Sequence, residues 1–134
     1  MALFPRRILL AEDDLEMRRL LSDALRRRGY HVVEARNGVE LLDLLTDWLI
    51  AASPCTPFDL VISDHRMPGF TGLGVLEGMK DFGAAPPFIM ITAFGGTEFA
   101  VEARRAGARA VLDKPFDADV LLRTVAELIG TANA

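Results

Sequence analysis

The residues that could do chemistry in this chain each close an apolar run. Glu12-Asp13-Asp14 follows Ile8-Leu9-Leu10-Ala11, and Asp64 follows Leu60-Val61-Ile62-Ser63. Thr92 follows Phe88 to Ile91, and Lys114 comes just after Ala110-Val111-Leu112. If these runs are parallel strands, the acids, the hydroxyl and the amine share one mouth of an open sheet, where ligands bind outside the carboxyl ends of the strands. Crowded carboxylates repel one another, so either some stay protonated or a cation sits among them. Hard oxygen ligands with open positions suit Mg²⁺, which keeps waters and prefers phosphate oxygens as further ligands. A lysine and a hydroxyl opposite the acids then make sense as phosphoryl contacts. That is the inventory for phosphoryl transfer, where catalysis is mostly positioning and charge neutralisation, with a carboxylate as the nucleophile toward phosphorus.

Each residue also has a bland reading. Asp64 alone is a capping or turn aspartate, Lys114 alone a solvated charge, Thr92 alone a strand-end residue. Their occurrence together, at the ends of four runs, weighs against that, because agreement across levels is itself informative. His65 beside Asp64 reads as a flanking residue rather than a proton shuttle, since no second histidine or cysteine clusters with it. His31 opens a strand, Trp48 lies on a helix face as packing, and Cys55 sits in a Pro-bracketed loop.

The elements that must position these groups follow from periodicity. Ile8 to Ala11, His31 to Ala35, Leu60 to Ser63, Phe88 to Ile91 and Ala110 to Leu112 have the pattern of strands, most of them buried. Between them lie helix-period segments. The first runs from about Leu15 to Arg28, with Met17, Leu20, Leu21, Ala24 and Leu25 on one face and Gly29 as its stop. Asn37-Gly38 turns into a helix marked by Leu41, Leu42, Leu45, Trp48 and Leu49, which the Ser53 to Pro57 segment breaks. Pro68-Gly69 leads into a helix of about Gly72 to Asp81, and Gly95-Gly96 into one of about Thr97 to Ala106. Asp117 suits the N-cap of a last helix that buries Val120, Leu121, Thr124, Val125 and Leu128. Strands alternating with helices mean βαβ units and a parallel sheet, and right-handed crossovers place helices on both faces.

The chain has 134 residues, 51% hydrophobic, and a net charge of −4. One domain is expected over residues 1–134, with its core at about 7–129. The mildly acidic balance argues against nucleic acid as a direct ligand, and Arg26-Arg27-Arg28 reads as a helix end, where cations favour the dipole. A single cysteine allows no intrachain disulfide and fits a reduced, cytoplasmic setting. No apolar run suits a signal peptide or a membrane span.

The matching stretches Ile8 to Asp13, Asp59 to Asp64 with Met67-Pro68-Gly69, Ile91-Thr92-Ala93, and Asp113-Lys114-Pro115-Phe116 resemble a response-regulator receiver domain of two-component signal transduction, similar to the chemotaxis regulator. They lie in that family's order and spacing over about Arg7 to Ile129. The resemblance implies a doubly wound, five-stranded parallel sheet of flavodoxin-like order 2-1-3-4-5 with five helices on two faces. It implies Asp64 as the phosphoacceptor, and Glu12, Asp13, Asp64 and the backbone carbonyl of Arg66 as holders of Mg²⁺. Thr92 is then the switch hydroxyl and Lys114 the phosphoryl contact, with the Lys114-Pro115 peptide bond cis. The implied partners are a sensor histidine kinase or phosphotransfer protein, and a downstream effector that docks on the helix 4, strand 5, helix 5 face. The helix face beginning at Met17-Arg18-Arg19 fixes the register of the acidic pair as Glu12-Asp13, leaving Asp14 at the helix start as a cap.

Three departures from the family pattern stand out. Val111 occupies the position three before Lys114, where many receivers carry an aromatic. Glu12 replaces the commoner aspartate. The 51–58 connection is longer than usual. An aspartyl-phosphate hydrolase would need a second aspartate two residues past Asp64, where Arg66 stands and cannot donate a proton in that way. A flavin-binding module would need Ser, Thr or Gly donors after the first strand, where this chain has acids. A degenerate receiver acting as a phosphorylation-independent interaction module ranks below a working one, because all of the family's phosphorylation residues are present. A stand-alone regulator and the receiver of a longer transcription factor or kinase both remain open.

Overall fold

The computed structural model describes residues 5–50, 58–80, 85–93 and 96–131, with the side chains of 48–50 left aside. The readings of Trp48, of Cys55 and its loop, of Asp81 and of Gly95 lie outside the described residues. In chain order the elements are β1 (Arg7–Ala11), α1 (Leu15–Arg27), β2 (His31–Ala35), α2 (Gly38–Ile50) and β3 (Leu60–Asp64). They continue with α3 (Gly72–Met79), β4 (Phe88–Thr92), α4 (Gly96–Arg105), β5 (Ala108–Asp113) and α5 (Ala118–Ile129). The five strands form one sheet in the order β2-β1-β3-β4-β5, with every neighbouring pair parallel. The chain is therefore the doubly wound α/β fold that the sequence implies.

The central strands β3 and β4 are buried at every position. That is why they read as unbroken apolar runs, as strands covered on both faces do. Alternate side chains of the strands feed two cores. Leu9, Val61 and Met90 pack with Leu41 and Leu45 of α2, Leu73, Val75, Leu76 and Met79 of α3 and Ala103 of α4. Ile8, Leu10, Ile62 and Ile91 pack with Leu21 and Leu25 of α1 and Leu121, Leu122 and Val125 of α5.

Asp14 caps α1 as expected, its Oδ1 accepting from the backbone N–H groups of Glu16 at 3.0 Å and Met17 at 3.5 Å. Gly29, at φ 92°, ends that helix in a conformation that costs residues with a Cβ. Several boundaries and faces differ from the periodicity reading. β5 starts at Ala108 rather than Ala110, past an irregularity in its pairing with β4 between Phe88 and Ile89. Leu20, expected on the apolar face of α1, is exposed, whereas Arg18 is buried. In α5, Val120 is exposed and Leu122 takes the core position. Asp117 occupies the N-cap position of that helix, but its side chain makes no capping bond. The Lys114-Pro115 peptide bond is cis. No helix among the described residues is long and apolar enough to cross a membrane.

Candidate functional site

The parallel register brings the polar strand ends level with one another. Ala11 pairs with Ser63, Asp64 with Ile91, and Thr92 with Asp113. The ladder runs one residue further at three places: Glu12 N–H donates to the Ala35 carbonyl at 3.1 Å, His65 N–H to the Ile91 carbonyl at 2.8 Å, and Lys114 N–H to the Thr92 carbonyl at 2.8 Å. The strand ends therefore deliver Glu12, Asp64, Thr92 and Lys114 from a rigid backbone rather than from loose loops.

The carboxylates of Glu12, Asp13 and Asp64 each offer an oxygen within 4.8 Å of the others. Glu12 and Asp64 are buried and Asp13 is exposed. Lys114 reaches between the two buried acids, its Nζ donating to Glu12 Oε1 at 2.8 Å and to Asp64 Oδ2 at 2.9 Å. Burial, and then a hydrogen bond with Asp64, push the Glu12 carboxyl up to about 8, against the opposing pull of Lys114. Burial also works against the charged form of Lys114, but its hydrogen bonds to Glu12 and Asp64 outweigh that and leave its pKa raised. Glu12 Oε2 is buried without a hydrogen-bond partner among the described residues. A buried acceptor left unpaired is costly, and a hard divalent cation among three carboxylate oxygens would satisfy it. The residues present thus fit Mg²⁺.

Beside this cluster lies an open recess of about 560 Å³ lined by Asp13, His65, Arg66, Met67, Pro68 and Thr71. Thr92 is buried at the end of β4. The structure thus places every site residue expected from sequence at this end of the sheet: Glu12, Asp13, Asp64, Thr92 and Lys114 at strand ends, and Arg66 at the recess. A separate cavity of about 280 Å³, lined in part by Lys80, Pro86, Pro87 and Arg109, involves none of these residues.

The connection from β3 to α3 is tightly built. His65 N–H donates to the Ile91 carbonyl and Gly72 N–H to the His65 carbonyl, both at 2.8 Å. A Cβ on Gly72 would lie 2.6 Å from the Asp64 carbonyl oxygen and 2.8 Å from Met90 Sδ. Only glycine lets the start of α3 come this close to the strand that carries Asp64. The His65 ring leans on Phe99 of α4, with centroids 4.5 Å apart and planes at 52°. Its Nδ1 accepts from Leu73 N–H at 3.4 Å, which puts the proton of the neutral ring on Nε2. Burial holds the His65 pKa down.

Two features escaped the sequence reading. The His65–Phe99 contact joins residues 34 apart by number in the chain (99 − 65), with no local signal. Arg18, buried beneath the Glu12 peptide, sits in a segment whose apolar spacing assigns it no inward role.

A family model described as the response regulator receiver domain matches residues 8–126. The transcriptional regulatory protein ZraR of Klebsiella oxytoca is 34% identical over 122 residues, which are 91% of this chain and 26% of that protein. The regulatory protein AtoC of Escherichia coli is 38% identical over 86% of this chain and 23% of its own length. The chain thus spans about a quarter of these regulators. The sporulation initiation phosphotransferase F of Bacillus subtilis is 33% identical over 84% of this chain and 85% of its own length. Among solved structures, the receiver domain of the Francisella response regulator 1452 superposes with a TM-score of 0.80 at 26% identity, covering 93% of this chain and 96% of that one. A response regulator receiver domain protein from Clostridium thermocellum gives 0.80 at 27% identity, over 92% and 94%.

Proposed function

The chain belongs to the response regulator receiver domain family, and from that premise we propose that it accepts a phosphoryl group on the Asp64 carboxylate, beside Mg²⁺, and turns the added charge into a change of its partner-binding surface. The observation that carries this reading is the placement of Asp64. It is a buried carboxylate at the end of a fully buried strand, with the Lys114 ammonium 2.9 Å from its Oδ2 and two further acids within reach of a shared cation.

In this reading an Asp64 carboxylate oxygen attacks phosphorus, the bond to the donor group breaks, and the donor leaves with the electron pair. Glu12, Asp13, Asp64 and the Arg66 carbonyl hold Mg²⁺, which supplies positive charge to the phosphoryl oxygens when bound. Lys114 exchanges its bond to Asp64 for a charge-assisted contact to the phosphoryl group. Thr92, at the end of the neighbouring strand, supplies a hydroxyl donor to the same oxygens. Drawing Thr92 and Lys114 toward the new charge pulls on the connection into α4 and on the end of β5. Val111 is half-buried on β5 and has no ring to rotate, so the change reaches the surface through α4.

The donor is a sensor histidine kinase or a phosphotransfer protein, and the receiver of the signal is an effector protein or domain that docks on the α4, β5, α5 face. Residues 1–134 act as one receiver domain. The test is incubation with a small phosphodonor and Mg²⁺ followed by intact mass. The parent protein gains one phosphoryl mass and Asp64→Asn gains none. Equal labelling of the two would remove Asp64 from the role.

A further inference from the structure

Arg18 lies in α1 next to the exposed Arg19 and Leu20, yet it is only 8% exposed. Burying a guanidinium is costly unless its charge is paired and its donors are used. Arg18 is paired, and its Nε and Nη1 donors are both engaged. Its Nε donates to Glu34 Oε1 on β2 at 3.2 Å, and its Nη1 donates to the backbone carbonyl of Glu12 at 2.9 Å. Glu34 is held from a second side by Arg26, whose Nη2 donates to its Oε2 at 3.2 Å and to the Val32 carbonyl at 3.0 Å. The anchor of Arg18 is therefore itself fixed to β2.

The group that Arg18 grips is the peptide joining two of the three clustered acids. That peptide is planar, so the direction of the Glu12 carbonyl sets the direction of the Asp13 N–H and of the bond into the Asp13 Cα. Glu12 is already tied to β2 by its own N–H, through the Ala35 carbonyl. With both ends of residue 12 held, the Glu12 and Asp13 side chains leave the backbone in fixed directions. Without the Arg18 bond, the carbonyl would be buried under α1 with one partner fewer, and rotation of the peptide would swing the exposed Asp13 carboxylate away from the other two.

We propose that Arg18 is a positioning residue for the metal-holding acids, acting through the Glu12 carbonyl and braced by Glu34. This rests on the reading of Glu12, Asp13 and Asp64 as the Mg²⁺ site. Its hydrogen bonds run to a backbone carbonyl and to β2, so its influence on the acids passes through the backbone. A role limited to packing α1 against the sheet would leave metal affinity untouched in any variant that still folds.

The experiment measures Mg²⁺ affinity by calorimetry, and the rate of labelling from a small phosphodonor as Mg²⁺ is varied, in the parent and in Arg18→Ala, Arg18→Lys, Glu34→Gln and Leu25→Ala. Leu25 is a fully buried core residue of the same helix and serves as the control for lost stability. Arg18→Ala is expected to weaken Mg²⁺ binding about tenfold, the low end for groups that orient a metal ligand, with labelling restored to near the parental rate at saturating Mg²⁺. Glu34→Gln is expected to weaken binding less, and Arg18→Lys to recover part of the loss. Leu25→Ala is expected to melt at a lower temperature with parental Mg²⁺ affinity. Should Arg18→Ala fail to fold, Glu34→Gln and Arg18→Lys carry the comparison. Parental affinity in the folded Arg18 and Glu34 variants, or an equal loss in Leu25→Ala, would overturn the proposal. Failure of the parent itself to bind Mg²⁺ would overturn it together with the site reading, and is distinguishable because the variants then have nothing to lose.

Discussion

Glu12, Asp64 and Lys114 settle their charges within a space that burial makes unfavourable for all of them. The Glu12 carboxyl pushed up to about 8 and the raised pKa of Lys114 are two sides of that settlement, with the amine bonded to both acids. Net attraction in such a group depends on every lone pair finding a partner, and Glu12 Oε2 has none among the described residues. Far from this site, Tyr30 shows a simpler case. Its hydroxyl donates to the Gly130 carbonyl at 2.7 Å, tying the entry to β2 to the end of α5 across 100 residues. Tyr30→Phe should lower stability by about 1 kcal/mol, the usual net worth of one such bond, measured by urea unfolding at pH 7. Burial raises the phenol pKa. The folded protein thus disfavours the phenolate more than the unfolded chain does. The stabilising contribution is complete below the unfolded pKa of about 10 and is lost as pH climbs through the folded value. Unfolding curves in the alkaline range should show this decline, and Tyr30→Phe should flatten it. A variant whose alkaline limb keeps the parental slope would remove Tyr30 as its source.

β3 and α3 meet more closely than side chains normally permit, and Gly72 is the reason. A Cβ there would press on the Asp64 carbonyl oxygen at 2.6 Å and on Met90 Sδ at 2.8 Å, and sit 3.0 Å from Ser63 Oγ. The first of these is backbone of the strand that carries Asp64 and cannot rotate aside. Gly72→Ala should therefore destabilise by about 1–3 kcal/mol, as overpacking does, and should slow labelling of Asp64 by moving the strand end. Loss of stability with a parental labelling rate would mean that α3 alone absorbs the strain. The strands themselves were legible in the sequence where both faces are covered: Leu60 to Ser63 and Phe88 to Ile91 are continuous apolar runs because the whole of each strand is buried. β5 lies at the sheet edge and is only partly covered; the exposed Arg109 separates the buried Ala108 from Ala110, so the apolar run starts two residues after the strand does. The site residues were legible for the same reason as the central strands. Glu12, Asp64, Thr92 and Lys114 each interrupt or follow an apolar run, and a parallel sheet gathers such ends. Arg18 was not legible. Its burial is decided by the Glu12 carbonyl just past β1 and a carboxylate on β2, which come together only in the folded chain, while Leu20, with the expected apolar spacing, is exposed.

The site belongs to the molecule as a whole, because its groups come from chain segments that only the complete sheet brings together. Lys114 bonds to Asp64 across 50 residues and to Glu12 across 102. An unfolded chain cannot present these oxygens to one ion, so Mg²⁺ held at this site would bind the folded state alone and would stabilise it by mass action. At a free concentration one hundred times its dissociation constant the gain is about 2.7 kcal/mol, which for a domain of this length raises the melting temperature by roughly 10 °C. Thermal unfolding in EDTA and in excess Mg²⁺ measures it, with NaCl of matched ionic strength to remove general screening. Asp13 supplies the decisive variant. It is the exposed member of the cluster, so Asp13→Ala should melt in EDTA within a degree or two of the parent, as surface changes of small effect do. It should also lose most of the Mg²⁺-dependent rise, since one of the carboxylates that attract the ion is gone. A full rise in Asp13→Ala would take Asp13 out of the metal site, and no rise in the parent would take Mg²⁺ out of it altogether.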